Sequence, residues 1–473
     1  MTGTQRLFVP NERERVTASH RPEQGRRGGG GVDQISVIGL GKLGLCLAAV
    51  LADSGFKVTG VDVDREKVKA INSGESPIYE TGLADLITSN HASLKATTDY
   101  DEAIAGTRAT FVVVPTPSNV SGGFSLRYVK AAMSRLGEAL AHKSKYHLVV
   151  LTSTVMPGAM DGTVLPTLER NSGKRSGKGF GLCYNPEFIA LGDVIRGLRN
   201  PDLVLVGESD KAAGDALAKI HSQVCENSAP VERMTFLNAE VAKIAVNAFV
   251  TMKMSFANTL AEICERLPSG DVDKITRAIG RDRRIGPTYL TGAIGYGGPC
   301  FPRDNAAFAS FAKKVGVGAD LARATDQVNR RQVRRIMELI EEGHSAGSSK
   351  IGILGITYKP NTNVTEASQS LMLGDALAKK GFEVHVYDPA AGRDQLRELS
   401  DLKVEPTAEE CIAKSDVCVI GTPWPSFSRI DKSRFSNKVV FDCWRMLDGN
   451  EPRNASRYVA LGKEMTSKKG PRT

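Results

Sequence analysis

The segment 295–304, GYGGPCFPRD, places Cys300 between two prolines, behind three glycines and four residues before Asp304. Structural thiols usually lie on an apolar helix or strand face, where they pack like small hydrophobic groups. Glycine and proline instead indicate a loop whose backbone is fixed and can approach a ligand closely. A nucleophilic thiol must be accessible, aimed and partly deprotonated. The pattern therefore favours chemistry at Cys300 over an inert, packed thiol.

Lys243 and Asn247 form a second candidate pair, four residues apart in a segment predicted to be one long helix. This segment, 238–267, contains no proline or glycine, and its apolar residues recur at helical spacing. Residues four apart project from the same helix face. A solvated lysine beside an amide is the alternative interpretation. The flanking Ala, Val, Ile and Phe residues indicate a largely buried segment and favour a functional pair.

A third candidate site is G-x-G-x-x-G, formed by Gly39, Gly41 and Gly44 between a predicted strand and a small-residue helix. Such a turn lets a pyrophosphate approach the helix N-terminus, and the third glycine allows the helix and strand to pack closely. Asp62 ends the next predicted strand, where a carboxylate would bond ribose hydroxyls and repel a 2′-phosphate. The combination predicts NAD rather than NADP. A glycine-rich turn in an unrelated α/β protein is the alternative.

The elements that must position these residues alternate between strands and helices. Apolar runs at 109–117, 147–154 and 202–207 follow the first strand–turn–helix–strand unit. This alternation is typical of a mainly parallel, doubly wound sheet. After a linker-like segment, 341–350, a second strand–loop unit opens and further strands follow.

The fold class is therefore predicted to be α/β with two Rossmann-like units. We expect an N-terminal Rossmann-like domain with a doubly wound sheet, a central helical connector with one long helix, and a smaller C-terminal α/β domain. A length of 473 residues is enough for several domains. The expected bounds are a disordered basic tail over 1–33, then 34–225, 226–340 and 348–462, and a second basic tail over 463–473.

The net charge of +9 does not indicate a nucleic-acid surface. Residues 1–31 hold six Arg and three Glu, and residues 463–473 hold three Lys, one Arg and one Glu. About two thirds of the excess therefore lies in the expected tails, and the folded body has little left for nucleic-acid binding. No apolar run is long enough to span a bilayer. The N-terminus lacks the apolar core of a signal peptide, so a cytoplasmic location is the default expectation.

Eight cysteines and seven histidines are scattered without metal-ligand spacing. No CxxC or HExxH pattern is present, so we expect neither a disulfide scaffold nor a metal site. Reduced thiols fit the cytoplasm.

Seven motifs follow one another along the chain: VPTP (114–117), STVMPG (153–158), NPEF (185–188), AEVAKIAVNAF (239–249), RRIGP (283–287), GYGGPCFPRD (295–304) and YKPNT (358–362). Through these motifs, between residues 34 and 460, the chain resembles the UDP-glucose/GDP-mannose dehydrogenase family. In that family the C6 alcohol of a nucleotide sugar is oxidised twice, to a carboxylate, with two NAD and a cysteine. The resemblance favours UDP-glucose, giving UDP-glucuronate, as the substrate.

The resemblance implies a role for each matched residue. Cys300 is the nucleophile that forms a thiohemiacetal and then a thioester. Lys243 stabilises developing negative charge, Asn247 orients the sugar or a water, and Asp304 assists general-base activation of water. Glu187 and Thr154 hold a catalytic water and the substrate.

The implied binding residues fall into two sets that share no residue. Arg284 is expected to reach a neighbouring subunit's site, so a homodimer or larger homo-oligomer is expected by analogy. The expected cofactor contacts are Gly39, Gly41, Lys42, Leu43, Gly44, Asp62, Lys67, Pro115, Thr116, Thr154 and Arg303. The expected substrate contacts are Glu187, Phe188, Lys243, Asn247, Arg284, Tyr296, Gly297 and Lys359.

Three stretches depart from the family pattern and leave the sugar and the base open. Leu191 replaces a second glutamate, Glu366 and Ala367 stand at an Arg–Glu pair, and Pro299 and Arg303 replace the commoner Ser and Lys. A UDP-N-acetylhexosamine or GDP-mannose is therefore an alternative substrate. A β-hydroxyacid-dehydrogenase-like enzyme would need neither Cys300 nor the second α/β domain. A basic binding protein without turnover is the remaining alternative.

Overall fold

The computed structural model describes residues 32–342, 344, 349–392 and 401–465 of the chain. Most of both expected basic tails and half of the expected linker lie outside these residues. No helix within the described part is long and apolar enough to cross a membrane.

The N-terminal sheet contains eight strands among the described residues. They are β1 (Gln34–Ile38), β2 (Lys57–Val61), β3 (Leu94–Thr97), β4 (Ala109–Val112), β5 (His147–Leu151), β6 (Phe180–Tyr184), β7 (Val204–Glu208) and β8 (Val231–Met234). Their order is β3-β2-β1-β4-β5-β6-β7-β8, and only the β6–β7 pair is antiparallel within it. Every residue of β4, β5 and β6 is buried, as expected for parallel strands covered on both faces.

Helices cover both faces of this sheet. They are α1 (Lys42–Asp53), α2 (Arg65–Asn72), α3 (Leu83–Ser89), α4 (Tyr100–Gly106), α5 (Arg127–Ala141), α6 (Leu165–Ser172), α7 (Val194–Arg199) and α8 (Lys211–Val224). Residues of α1 and α8, such as Leu45 and Leu217, form one apolar core. Residues of α5 and α6, such as Leu136 and Leu168, form the other.

The central region is helical and is dominated by α9 (Phe236–Cys264), with α10 (Val272–Gly280), α11 (Phe301–Lys314) and α12 (Asp320–Glu341). The Thr235 side chain accepts a hydrogen bond from the Asn238 backbone N–H, which caps the start of α9. The predicted long helix is present, and it begins two residues earlier and ends three residues earlier than the sequence pattern indicates. Both α11 and α12 pack against α9.

The C-terminal domain repeats the Rossmann-like plan on a smaller scale. Its strands are β9 (Lys350–Leu354), β10 (Glu383–Tyr387), β11 (Leu402–Val404), β12 (Val417–Ile420), β13 (Val439–Asp442) and β14 (Arg457–Ala460). All are parallel, in the order β11-β10-β9-β12-β13-β14. The helices α13 (Gln369–Lys379) and α14 (Ala408–Ala413) belong to this domain. The predicted fold class is confirmed.

Two segments lie differently from the expected bounds. Strand β8 pairs with β7, so the first sheet continues past residue 225. At the other end, Lys463 pairs with Asp271 in a bridge, and the Met465 backbone N–H donates to the Glu265 carbonyl. Residues 463–465, expected to begin a tail, therefore lie against the central region.

The strand order also fixes where a ligand can bind. In each sheet the chain reverses its winding direction between neighbouring strands, at β1/β4 and at β9/β12. Ligands of open α/β sheets bind beyond the carboxyl ends of the strands at such a point. The candidate residues Asp62, Thr154 and Glu187 all follow the carboxyl ends of strands of the first sheet.

Candidate active site

The Cys300 loop is held by close backbone contacts with the C-terminal domain. A Cβ on Gly297 would lie 2.2 Å from the Ala367 carbonyl oxygen, so only glycine fits there. The Gly298 N–H donates to the Glu366 carbonyl at 3.0 Å, and Gly298 has a φ of +85°. Cys300 itself is exposed and stands directly before α11. The loop thus presents an accessible thiol on a fixed backbone, as the sequence predicts.

Helices α9 and α11 bring three of the predicted catalytic residues together. The buried Asn247 amide donates to Asp304 Oδ2 at 2.6 Å. Asp304 lies in the first turn of α11, and its backbone N–H donates to the Cys300 carbonyl. The buried Lys243 ammonium lies 4.7 Å from the centre of the Phe188 ring. The Asn247 amide and the Asp304 carboxylate are therefore joined directly, and one helix turn separates Asp304 from Cys300.

The charges around the thiol act in opposite directions. Although Cys300 is exposed to solvent, the groups packed around it desolvate the thiol in part and raise its pKa, and the Asp304 carboxylate adds to this effect. The positive charges of Lys243 and Arg303 lower the Cys300 pKa, but their effect is smaller and the pKa remains raised. Burial likewise lowers the pKa of Lys243, against the negative charges of Asp304, Cys300 and Glu187. The thiol is therefore mainly protonated at neutral pH.

Glu187 supplies a carboxyl group with an unusual proton affinity. Burial raises the Glu187 pKa to about 7, while the nearby Lys243 cation opposes the shift. A carboxyl group with this pKa is suited to general acid–base chemistry near neutral pH. Thr154 is half-buried, three residues beyond the end of β5. The preceding Ser153 hydroxyl bonds the backbone of Val114, which ties the ends of β4 and β5 together.

The glycine-rich turn has the geometry that a dinucleotide requires. Gly39 has a φ of +92°, and a Cβ there would lie 2.2 Å from the Val113 carbonyl oxygen. A Cβ on Gly44 would lie 1.9 Å from the Gly39 carbonyl oxygen, so the helix packs directly on the turn. A Cβ on Gly41, the N-cap of α1, would instead have no neighbouring atom within 4 Å. The turn is thus closed where protein packs and open where a pyrophosphate would approach.

Asp62 and its neighbours lie at the predicted ribose end of the same crevice. Asp62 Oδ2 accepts from the Leu40 backbone N–H at 2.8 Å, and Oδ1 accepts from the Asp64 N–H at 3.0 Å. Lys67 Nζ lies 3.9 Å from Asp62 Oδ2. These bonds fix the carboxylate and leave lone pairs that could accept ribose hydroxyls. The half-buried Leu43 follows Lys42 in the first turn of α1.

Arg303 joins the dinucleotide side of the crevice to the catalytic helix. Its guanidinium donates to the Thr116 carbonyl at 3.2 Å and to Asp304 Oδ1 at 3.4 Å. It also stacks over the Phe124 ring, 4.6 Å from the ring centre. Pro115, beside the buried Thr116, is exposed. Arg303, a predicted cofactor residue, therefore also contacts Asp304, a predicted catalytic residue.

Lys359 and Lys42 lie where the C-terminal domain meets the first domain. Burial lowers the pKa of Lys359, while the acids Asp193 and Glu80 of the first domain raise it. Lys42 Nζ donates to Asn363 Oδ1 at 3.0 Å, across the crevice. The loop that follows β9 thus contacts the dinucleotide turn as well as the Cys300 loop.

Two predicted substrate residues lie apart from this cluster. The Tyr296 side chain is buried, and its backbone exchanges two hydrogen bonds with the Asn329 amide, which secures the start of the Cys300 loop. Arg284 is exposed and bonds Asp282 Oδ2 at 2.7 Å. Within one chain, Arg284 therefore contacts none of the catalytic groups named above.

Sequence reasoning missed several residues of this site. The Tyr358 ring lies 2.6 Å from the position of a Cβ on Gly298, and burial raises the Tyr358 pKa. Its only sequence signal is that it precedes Lys359 in YKPNT. Glu80 had no signal, because its partners are backbone groups of a distant loop. Leu191, one of the departures from the family pattern, packs on the apolar core of the first domain.

The site as a whole combines a thiol, a buried ammonium and two carboxyl groups beside a dinucleotide crevice. The ammonium can stabilise an oxyanion, and the carboxyl groups can accept or donate protons. The glycine turn and Asp62 fit NAD, which accepts a hydride when bound. A thiol beside a hydride acceptor can carry an alcohol oxidation past the aldehyde, because a thiohemiacetal can lose a second hydride.

Comparison with known proteins identifies the class. Three domains of the UDP-glucose/GDP-mannose dehydrogenase family match the chain: the NAD binding domain at 33–225, the central domain at 237–331 and the UDP binding domain at 352–449. The chain belongs to this family and is an NAD-dependent oxidoreductase. The resemblance, enzyme class and cofactor predicted from the sequence are confirmed.

Individual relatives cover nearly the full length. The UDP-glucose 6-dehydrogenase of Haloferax volcanii is 36% identical over 88% of this chain and 98% of its own. The GDP-mannose 6-dehydrogenase of Azotobacter vinelandii is 31% identical over 86% of this chain and 96% of its own. Among solved structures, a UDP-glucose dehydrogenase from Pyrobaculum islandicum aligns with a TM-score of 0.85 and 31% identity, covering 92% of this chain and 99% of that one.

Proposed function

We propose that this enzyme oxidises the C6 alcohol of a nucleotide sugar to the carboxylate, with UDP-glucose as the substrate. The observation that carries the proposal is the convergence of Cys300, Lys243 and the Asn247–Asp304 pair beside the dinucleotide turn. A one-step alcohol dehydrogenase has no use for a thiol in this position. The match to a UDP binding domain and the similarity to UDP-glucose 6-dehydrogenases support the choice of UDP-glucose.

The residues divide the reaction into four steps. NAD held by the glycine turn and Asp62 would accept the hydride in each of the two oxidations. The first oxidation also releases a proton to solvent and gives the aldehyde. The Cys300 sulfur then bonds to C6 as the thiol loses its proton, and the oxyanion that forms beside Lys243 takes up a proton to give the thiohemiacetal. The second oxidation, with release of a further proton, gives the thioester. Water held by Glu187 breaks the C–S bond, releasing the carboxylate and the free thiol.

The substrate assignment is tested with a panel of nucleotide sugars. Purified protein is incubated with NAD and UDP-glucose, GDP-mannose or a UDP-N-acetylhexosamine, and NADH is measured. We expect the highest kcat/KM with UDP-glucose. GDP-mannose is the second candidate, because several relatives named GDP-mannose 6-dehydrogenase are 30 to 32% identical to this chain. A higher kcat/KM with GDP-mannose would overturn the assignment.

We also infer that the enzyme is a homo-oligomer built on the outer face of α9. Apolar side chains are exposed along this face, and Phe249, Phe256 and Ile263 are spaced seven residues apart, so they share one side of the helix. Phe249 is 58% exposed and Phe256 53%. A second copy of the chain would bury this surface, and a neighbouring subunit would give the exposed Arg284 a site to reach. The eight unpaired cysteines suit the expected cytoplasmic setting.

The oligomer is tested by light scattering of the purified protein after size-exclusion chromatography. Phe249→Glu should shift the wild-type oligomer towards the monomer, because it places a charge in an apolar contact. Leu321→Glu, which changes another exposed apolar residue on α12 rather than on α9, should leave the mass unchanged. A monomeric wild type would overturn the inference.

A further inference from the structure

The loop that carries Glu187 is anchored at its start by a buried asparagine. Asn185 directly follows β6 and is 1% exposed. Its backbone N–H donates to the Leu151 carbonyl at 2.8 Å, and its side-chain Nδ2 donates to the Leu205 carbonyl at 3.0 Å. Asn185 therefore ties the carboxyl end of β6 to the neighbouring strands β5 and β7, two residues before Glu187.

The remaining acceptor of this amide, Asn185 Oδ1, faces His221 of α8. His221 Nε2 lies 2.8 Å from Asn185 Oδ1. Because Nδ2 is committed to a carbonyl, Oδ1 is the amide oxygen and can only accept, so the imidazole must donate through Nε2. Burial lowers the His221 pKa to about 4, so the ring is neutral at pH 7 and has one N–H to give. The ring donates this single N–H to Asn185 Oδ1.

The far end of the same loop is fixed by a different acid. Glu80 is buried, and its two carboxylate oxygens accept from the Gly192 and Val194 backbone N–H groups at 3.1 and 3.0 Å. A Cβ on Gly192 would lie 2.1 Å from the Asn361 carbonyl oxygen, so the loop end also abuts the C-terminal domain. With this end held by Glu80, the position of Glu187 depends on how firmly the Asn185 end is held.

We propose that His221 is a positioning residue for Glu187, acting through its hydrogen bond to Asn185. His221 lies on α8, which packs on β6 and β7, and it meets the Glu187 loop through the Asn185 side chain. Pro186 separates Asn185 from Glu187 and has a restricted φ, so a rotation at Asn185 is passed on to the carboxyl group. This role rests on the proposed function, in which Glu187 holds the water that hydrolyses the Cys300 thioester.

The proposal predicts which half of the reaction fails when the bond is lost. Acylation of Cys300 depends on α9, α11 and the dinucleotide crevice, so it should continue. Hydrolysis depends on the exact direction of Glu187, and a displacement of about 1 Å at a reacting group can reduce a rate about 100-fold. Loss of the His221 donor should therefore leave the enzyme in its acylated form.

The test compares His221→Met, which has no donor, with His221→Gln, whose amide N–H can replace Nε2–H. His221→Met should lower kcat about 10- to 100-fold and lower KM in proportion, so that kcat/KM stays within about threefold of wild type. It should also show a burst of two NADH per site and an acyl adduct on Cys300 in intact-mass spectra. His221→Gln should restore most of kcat and abolish the burst.

His147→Met is the matched control. His147 is also buried and neutral, and bonds Thr110 Oγ1 at 2.7 Å, but it lies at the amino end of β5, whereas Asn185 follows the carboxyl end of β6. It should lose stability without a burst or a Cys300 adduct. All variants are measured at a temperature at which circular dichroism shows them folded.

Two results would overturn the role of His221. One is a His221→Met enzyme with kcat within twofold of wild type. The other is a parallel fall of kcat and kcat/KM without a burst, as expected when only the folded fraction changes. A wild type that reduces no NAD with any nucleotide sugar would instead refute the proposed function itself.

Discussion

Asn247 on α9 donates a hydrogen bond of 2.6 Å to Asp304 on α11, and both side chains are buried. This bond joins the helix that carries Lys243 to the helix turn that begins at Cys300. It also sets the direction of the Asp304 carboxylate, whose charge raises the pKa of the thiol. Asp304 is therefore expected to have two separable effects: its charge raises the pKa of the Cys300 thiol, and its carboxylate is predicted to assist the activation of water.

Replacing Asp304 by Asn should therefore lower the Cys300 pKa while lowering turnover. The amide keeps an oxygen for Asn247 to donate to but removes the negative charge near the thiol. The rate of iodoacetamide labelling at Cys300, followed by mass spectrometry over a pH series, should rise at lower pH than in wild type. Labelling of Cys225, which is half-buried and has its pKa raised to about 11, should not change and is the internal control. An unshifted Cys300 profile would contradict the electrostatic account.

Replacing Cys300 by Ser should separate the thioester route from a packing role. Serine keeps the loop shape but is a much poorer nucleophile. The activation barrier should therefore rise by on the order of 4 kcal/mol or more and turnover should fall accordingly, while NAD and sugar still bind. The wild type should give two NADH per sugar and no free aldehyde. One NADH per sugar, or a Ser variant within a few-fold of wild type, would eliminate the covalent mechanism.

Replacing Glu187 by Gln should stabilise the protein at high pH and inactivate it. The folded-state pKa of about 7 lies above the ordinary value of 4.5. The stability contributed by Glu187 is thus fully present below pH 4.5 and is lost as pH rises through 7. Gln is neutral throughout, so the variant should gain at most about 3 kcal/mol over wild type at pH 8 and nothing at pH 4.5.

The measurement for Glu187→Gln is the free energy of unfolding in urea at several pH values. The pH dependence that other titrating groups give to the free energy of unfolding is common to both proteins, so it cancels in the difference between the variant and wild type. The exposed Glu138→Gln should show no such pH-dependent gain. A constant difference across the pH range would mean that Glu187 has an ordinary pKa.

Short-range patterns predicted the parts of the site that lie within one turn or one helix. The glycine turn, Asp62 and the Lys243–Asn247 pair follow from the spacing of residues on a strand, a turn and a helix face. The glycines and prolines around Cys300 also predicted a fixed loop. They did not show why residue 297 must be glycine, because the group that leaves no room for a Cβ is the Ala367 carbonyl of another domain.

Contacts between distant segments could not be predicted in this way. Glu80 holds backbone N–H groups more than 110 residues away, and any loop of suitable shape could supply those groups. His221 meets Asn185 because α8 packs on β6 and β7, which helix periodicity alone does not fix. The placement of β8 in the first sheet likewise depends on its pairing with β7 rather than on its own sequence.

Replacing Asp62 by Ala tests the cofactor assignment. The carboxylate at the end of β2 should bond the ribose hydroxyls of NAD and repel the 2′-phosphate of NADP. Wild type should use NADP poorly, and the variant should use NAD less well, so that the ratio of the two kcat/KM values falls. Lys67→Ala is a useful comparison, since it removes the cation 3.9 Å from Asp62 and should leave NAD preferred. A wild type that uses both cofactors equally would show that Asp62 does not select between them.

The last prediction concerns the end of the chain. A protein lacking residues 1–31 and 466–473 should keep its turnover, because the catalytic and binding groups named above lie between them.

Removal from residue 462 onward should destabilise the central region. The Gly462 N–H donates to Glu265 Oε1 at 2.8 Å, and this buried carboxylate also pairs with Arg335 at 2.5 Å. Leaving a buried acceptor without its donor costs about 1–3 kcal/mol, before the loss of the Met465 and Lys463 contacts is counted. Melting curves of both truncations decide the matter: equal midpoints would show that residues 462–465 do not stabilise the fold.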